Sequence, residues 1–310
     1  MKPTLLVLIQ LNESSLASLA ADFEIIYAPT PGERGAALDT HGDAVRAVLT
    51  NGTTGLSAAD IDRMPRLEFV SALGAGFENL AVDHARAHGI VLANGAGTND
   101  HCVADHAFAL LLAVVRAVPH LDHATRAGVW RDTLPMQPNV SGKRLGIVGL
   151  GHIGEKVARR GTGFDMQVGY HNRRPREASP LQYFDTVEAL AQWADFLVVC
   201  TPGGPGTHHL IGKDVFDALG PNGYVVNVSR GSVLDTAALA QALTANAIAG
   251  AALDVYEGEP KPPQALLTLH NVVLTPHVAG RSPEAVTASV DNFLTNARRH
   301  FTGQPVLTPI

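Results

Sequence analysis

The chain has 310 residues, beyond the roughly 250–300 at which single hydrophobic cores stop growing, so two domains flanking one cleft are expected. Hydrophobic residues make up 46% and charged residues 17%, a composition that can bury a core and is unlike that of disordered chains. The 23 Lys and Arg against 29 Asp and Glu leave a formal charge of −6, and no stretch gathers the basic residues into a stripe, which argues against a phosphate-tracking nucleic-acid surface.

The apolar start, residues 1–10, has one Lys and no small-residue cleavage site, and polar Asn12 and Glu13 follow at once, so it reads as a first strand and not a signal peptide. Apolar or β-branched runs at 5–9, 24–27, 45–49, 69–73 and 89–92 alternate with helix-compatible stretches, the rhythm of a parallel sheet covered on both faces. Residues 100–118 follow Asn99 as a cap and are apolar on nearly every face, which predicts a helix that is buried or packed on a second subunit. Asp105, His106 and Arg116 interrupt this run, so it falls short of the ~18 apolar residues of a membrane span.

The segment 134–142, with Pro135 and Pro138, breaks the pattern before a second series begins. That series is strand 145–148, helix 153–163, strands 168–170, 196–200 and 224–228, helix 236–245, then strands 250–253 and 272–274. The fold class is therefore α/β, with two doubly wound units. The last helix, 283–301, starts after Ser282 with proline at its first position, ends in Arg298, Arg299 and His300, and is free to cross back onto the first unit. Cys102 and Cys200 lack any CxxC spacing and sit in apolar surroundings, as core thiols of a reduced, cytoplasmic protein do; a disulfide or metal pair is the weaker alternative.

The sequence LGIVGLGHIG at 145–154 runs a strand into GxGxxG and on into a helix. Gly149 permits the tight turn, Gly151 lets the backbone approach a pyrophosphate, and Gly154 lets the helix pack on the strand. The pyrophosphate charge then meets the free N–H groups of the helix start, chiefly at His152 and Ile153. The next strand ends VGYHNRRP at 168–175, without the carboxylate that would bind an adenosine ribose diol. Neutral Asn172 is followed by Arg173 and Arg174, whose forked donors suit a 2′-phosphate, so NADP(H) is favoured, with NAD(H) as the alternative.

Three further residues follow strands of the second unit, at the carboxyl ends where open α/β sheets bind ligands. They are Arg230 in NVSRGS at 227–232, Glu259 in DVYEGEP at 254–260, and His277 in LTPHVAG at 274–280. Hydride delivery to a carbonyl carbon leaves an alkoxide, and an imidazole is the natural proton donor near neutral pH. A carboxylate beside it would fix its tautomer, and an arginine can bind a 2-oxo acid through its carboxylate and carbonyl oxygens. Together these motifs, with LGAG at 73–76 and VADH at 103–106, make the chain similar to the D-isomer-specific 2-hydroxyacid dehydrogenases, in particular their glyoxylate/hydroxypyruvate reductase-like branch.

The resemblance implies an NAD(P)-dependent oxidoreductase that reduces small 2-oxo acids to D-2-hydroxy acids. It implies Arg230 as substrate anchor, Glu259 as orienter and His277 as acid/base. Asp254 would hold the nicotinamide carboxamide, Thr201 and Val228 would line the cofactor cleft with Gly280 beside them, and Ala75 and Gly76 would offer N–H groups to the substrate carboxylate. It further implies a flavodoxin-like substrate domain, 1–98 plus 283–310, into which a Rossmann cofactor domain, 99–282, is inserted, and a homodimer through residues 100–118. No metal is expected. Asp105 stands where the family often has Glu. Alternatives within the family are a longer 2-ketogluconate-like acid or phosphite as substrate, with Asn51, Thr53, Leu73, Phe77 and Trp130 as candidate selectors; a different class is a non-catalytic dinucleotide-sensing corepressor.

Overall fold

The computed structural model describes residues 2–177 and 179–310. They form two compact units, 1–99 with 280–310 and 100–279, so that the second interrupts the first in chain order. The crossings fall between Asn99 and Asp100 and between Ala279 and Gly280.

The first unit holds strands β1 (Thr4–Val7), β2 (Glu24–Tyr27), β3 (Val45–Thr50), β4 (Phe69–Ala72) and β5 (Val91–Asn94), all parallel, in the order β2-β1-β3-β4-β5. Successive side chains point to opposite faces of a strand, so a sheet covered on both sides needs apolar residues at nearly every position. Strand β1 divides accordingly: Leu6 joins one apolar cluster with Val48, Val70 and Leu92, while Leu5 and Val7 join the other with Leu49 and Phe69. The second cluster is completed by Val290, Phe293, Leu294 and Ala297 of the helix Pro283–Phe301. That helix begins as its sequence dictates, with Ser282 accepting from Ala285 N at 3.1 Å and Pro283 in its first turn, where no amide partner is needed. Arg298 then ties its last turn to Asp22 at 2.6 Å.

The second unit holds β6 (Arg144–Val148), β7 (Gln167–His171), β8 (Gln182–Tyr183), β9 (Phe196–Val199), β10 (Tyr224–Asn227), β11 (Gly250–Leu253) and β12 (Val272–Leu274). The sheet is parallel throughout, in the order β12-β11-β10-β9-β6-β7-β8. Helices Asp100–Val115 and His152–Gly163 bury Val103, Phe108, Leu111 and Val157 against one face. Helices Val187–Trp193, Lys213–Leu219 and Thr236–Thr244 bury Leu190, Phe216 and Leu239 against the other. Strand β8 was not anticipated: with two residues it has no periodicity, and it exists because Gly169 and Tyr170 offer an open edge.

One sequence expectation is corrected. The helix over 100–118 stops at Val115, Ala117 turns left-handed at φ 49°, and a second helix, Val118–Arg126, departs at 57°. Pro119 is the cause: it has no N–H for the carbonyl four residues back, and its ring would clash there. Among the described residues no single helix is long and apolar enough to cross a membrane.

Candidate active site

Strand β6 lies between β7 and β9, so chain connections leave it in opposite directions, and the crevice at the carboxyl ends of β6 and β9 is the place where such sheets take ligands. The glycine turn fills that place. Gly149 has φ 98°, and a Cβ there would lie 2.9 Å from the Thr201 amide nitrogen at the end of β9. A Cβ on Gly154 would lie 2.3 Å from the Gly149 carbonyl oxygen, so only glycine lets the helix start pack on the turn. Gly151, by contrast, faces open space and is the N-cap of His152–Gly163 without any side-chain cap. The first amides of this 12-residue helix are thus left for an incoming anion. His152 is exposed and Ile153 half-buried at this end. The Thr201 hydroxyl beside the turn is buried without a partner, and Val228 is buried nearby at the end of β10. A cradle closed to side chains on two sides, open on the third and lined by an unsatisfied hydroxyl fits a dinucleotide.

Asn172, just past β7, turns in and accepts from the Leu150 amide at 2.7 Å. Arg173 and Arg174 are exposed. Arg176, which the sequence reasoning passed over, also reaches the turn: its guanidinium donates to the Leu150 carbonyl at 2.8 Å and pairs with Glu155. The signal was a third arginine in the same run, hidden behind Pro175.

The candidate reacting residues gather at the ends of β10, β11 and β12. Asn227, fully buried, accepts from Ser229 N and Oγ at 3.0 and 2.7 Å and donates to the Arg230 carbonyl at 3.1 Å, which shapes the loop that presents Arg230. The Arg230 guanidinium donates to the Ser229 carbonyl at 2.6 Å. After β11, two glutamates diverge. Glu257 pairs with His209 at 2.8 Å and caps the amide of Thr236 at 3.1 Å, whereas Glu259 accepts from Tyr256 N at 3.0 Å and from His277 Nδ1 at 2.7 Å. Burial pushes the Glu259 carboxyl up, but the hydrogen bonds from His277 and Tyr256 and the charges of His277 and Arg230 outweigh it and hold the group below its usual range. Glu259 is therefore an anion that accepts, the proton of Nδ1 stays on His277, and Nε2 is the nitrogen left to exchange a proton with a substrate.

Asp254, at 1% exposure, has its carboxylate engaged by the His277 loop: Oδ1 accepts from Thr275 Oγ1 at 2.6 Å and Val278 N at 2.9 Å, and Oδ2 from Ala279 N at 2.9 Å. Asp105 accepts from Arg160 at 2.7 Å and so ties Asp100–Val115 to His152–Gly163. Ala75, Gly76 and Gly280 fall in the other unit. There Ala75 is exposed with its carbonyl held by Asn94 at 2.9 Å, and a Cβ on Gly280 would lie 2.7 Å from Asn99 Nδ2. Both cysteines are free, and burial pushes the Cys200 thiol up to about 12, so it is no nucleophile.

A dinucleotide seat and a proton-carrying imidazole on one edge of one parallel sheet are the working parts of a nicotinamide-dependent oxidoreductase, and comparison with known proteins narrows that class. Residues 108–279 match the family model of the D-isomer specific 2-hydroxyacid dehydrogenase NAD binding domain. The chain belongs to this family. It is 38% identical to a 2-ketogluconate reductase of Gluconobacter oxydans over 86% of each chain. It is 36% identical to a glyoxylate/hydroxypyruvate reductase of Arabidopsis thaliana, over 93% of this chain and 92% of that one. Among solved structures, an NADPH-dependent glyoxylate/hydroxypyruvate reductase of Sinorhizobium meliloti, in complex with NADP and malonate, superposes with a TM-score of 0.91 at 37% identity, covering 100% of this chain and 97% of that one.

Proposed function

We propose that the protein is an NADPH-preferring reductase that converts small 2-oxo acids of the glyoxylate and hydroxypyruvate type to D-2-hydroxy acids. The observation that carries this is the His277–Glu259 contact of 2.7 Å, at the same sheet edge as Arg230 and the glycine turn. When bound, the reduced nicotinamide supplies hydride to C2 of the substrate. Arg230 grips the carboxylate and carbonyl oxygens and polarises the carbonyl. His277, protonated, gives its Nε2 proton to the alkoxide oxygen, while Glu259 holds the ring in orientation. Asp254 orders the loop bearing His277.

Cofactor preference rests on Asn172. Its side chain caps the glycine turn, no carboxylate stands there to repel a 2′-phosphate, and Arg173 and Arg174 are exposed beside it. The S. meliloti relative bound to NADP supports the same assignment. A homodimer is supported by the segment after Val115, where Val118, Val129, Trp130 and Met136 are 52%, 38%, 70% and 99% exposed.

The test is a panel of 2-oxo acids, including glyoxylate, hydroxypyruvate and 2-ketogluconate, each assayed with NADPH and NADH. The highest kcat/KM is expected for a two- or three-carbon acid with NADPH. A maximum on 2-ketogluconate would move the substrate to the sugar-acid class of the Gluconobacter relative, and a preference for NADH would overturn the cofactor assignment.

A further inference from the structure

The loop that presents His277 is held from outside the loop. His277 is one of the few non-glycine residues with a left-handed backbone, φ 53°, and such a conformation persists only where surrounding structure imposes it. Asp254 supplies that imposition: its own carbonyl accepts from His277 N at 2.8 Å and its carboxylate accepts from the next two amides, Val278 and Ala279. Three consecutive N–H groups thus converge on one residue, and the orientation of this carboxylate sets the position of the imidazole.

What orients the carboxylate lies on the helix Asp100–Val115. An ionised carboxylate only accepts, so the Thr275 hydroxyl donates to Asp254 Oδ1 at 2.6 Å, and its oxygen is left as an acceptor. His106 Nε2 lies 3.0 Å from that oxygen and 3.4 Å from Asp254 Oδ1. The direction of the first bond dictates the second: His106 carries its proton on Nε2 and donates it to Thr275. The His106 side chain is 23% exposed, and the helix bearing it is anchored by Val103, Ala104, Ala107 and Phe108 in the core. A rigid helix is therefore linked, through one hydroxyl, to the residue that folds the His277 loop.

We propose that His106 is a positioning residue for His277, acting through Thr275 and Asp254. The inference rests on the acid/base role given to His277 above. Removing the donor leaves the Thr275 hydroxyl and the Asp254 carboxylate without their lateral support, loosens the amides of Val278 and Ala279, and spreads the positions of Nε2; small displacements of a proton donor cost turnover more than they cost binding.

The experiment compares the full-length protein with His106→Leu, His106→Gln, Thr275→Val and the Leu/Val double variant. His106→Leu is expected to lower kcat about tenfold with NADPH affinity within about twofold of the parent, and to speed amide exchange at Val278 and Ala279. His106→Gln, which keeps an N–H near the Nε2 position, restores most of both. The double variant is no worse than the worse single, because one linkage is broken twice. If His106→Leu does not fold, Thr275→Val alone carries the same two readouts. Unchanged exchange at Val278 and Ala279, or additive losses in the double variant, overturns the proposal. A parent protein that turns over no 2-oxo acid defeats the functional assignment instead, and the exchange data then decide the linkage by themselves.

Discussion

Nδ1 of His277 lies 2.7 Å from Oε2 of Glu259, and the two residues come from turns after different strands of one parallel sheet. The contact settles which imidazole nitrogen faces Glu259, and the proposed acid/base role then falls to Nε2. Replacing His277 by Ala is expected to lower kcat on the order of 10³-fold, the usual size of a positioned acid/base. Titration of NADPH by fluorescence should give a nearly unchanged Kd. Unchanged turnover would remove His277 from the chemistry.

The pairing of Glu259 makes a prediction about acid. Its carboxyl titrates lower in the folded protein than in the unfolded chain, because the His277 and Tyr256 bonds outweigh the effect of burial. The stabilisation is then fully present above the unfolded value of about 4.3 and is lost as pH falls through the lower folded value. Urea unfolding of the parent and of Glu259→Gln between pH 7 and pH 3 should show a stability difference that is level at higher pH and shrinks only toward the acid end. A difference that vanished between pH 7 and pH 5 would contradict the assignment.

Arg230 sits in a loop shaped by Asn227, with its guanidinium against the Ser229 carbonyl. A lysine there would keep the charge and lose the planar fork. Arg230→Lys is expected to reduce kcat/KM for 2-oxo acids on the order of 100-fold, comparable to losing one preorganised donor. The loss should appear in steady-state kinetics at saturating NADPH.

The double variant Arg173→Ala, Arg174→Ala is expected to raise KM for NADPH about tenfold or more, because charge-assisted contacts with a 2′-phosphate are lost, and to leave KM for NADH nearly unchanged. Equal effects on both cofactors would mean that these arginines do not read the phosphate.

Much of this molecule was written locally in its sequence. A strand such as β9 is a continuous apolar run because both faces of its sheet are covered, and helix Pro283–Phe301 announces itself by Ser282, Pro283 and a basic last turn. The glycine turn was legible because three glycines fall within six consecutive residues between a strand and a helix, two of them where no side chain fits. Arg230, Glu259 and His277 could be named because each follows a recognisable strand.

Tertiary structure decided the rest. That Asn172 caps Leu150, that Arg176 reaches the same turn, and that Asp254 gathers the amides of His277, Val278 and Ala279 all depend on which strands are neighbours. The same holds for His106, 169 residues from Thr275 along the chain and 3.0 Å from it in space. Hydrophobic period and turn chemistry act over a few residues, whereas a hydrogen bond between distant residues exists only once strand order and register have brought them together. For that reason the sequence by itself determined the fold class and named the candidate reacting side chains, and only the folded sheet determined what holds them in place.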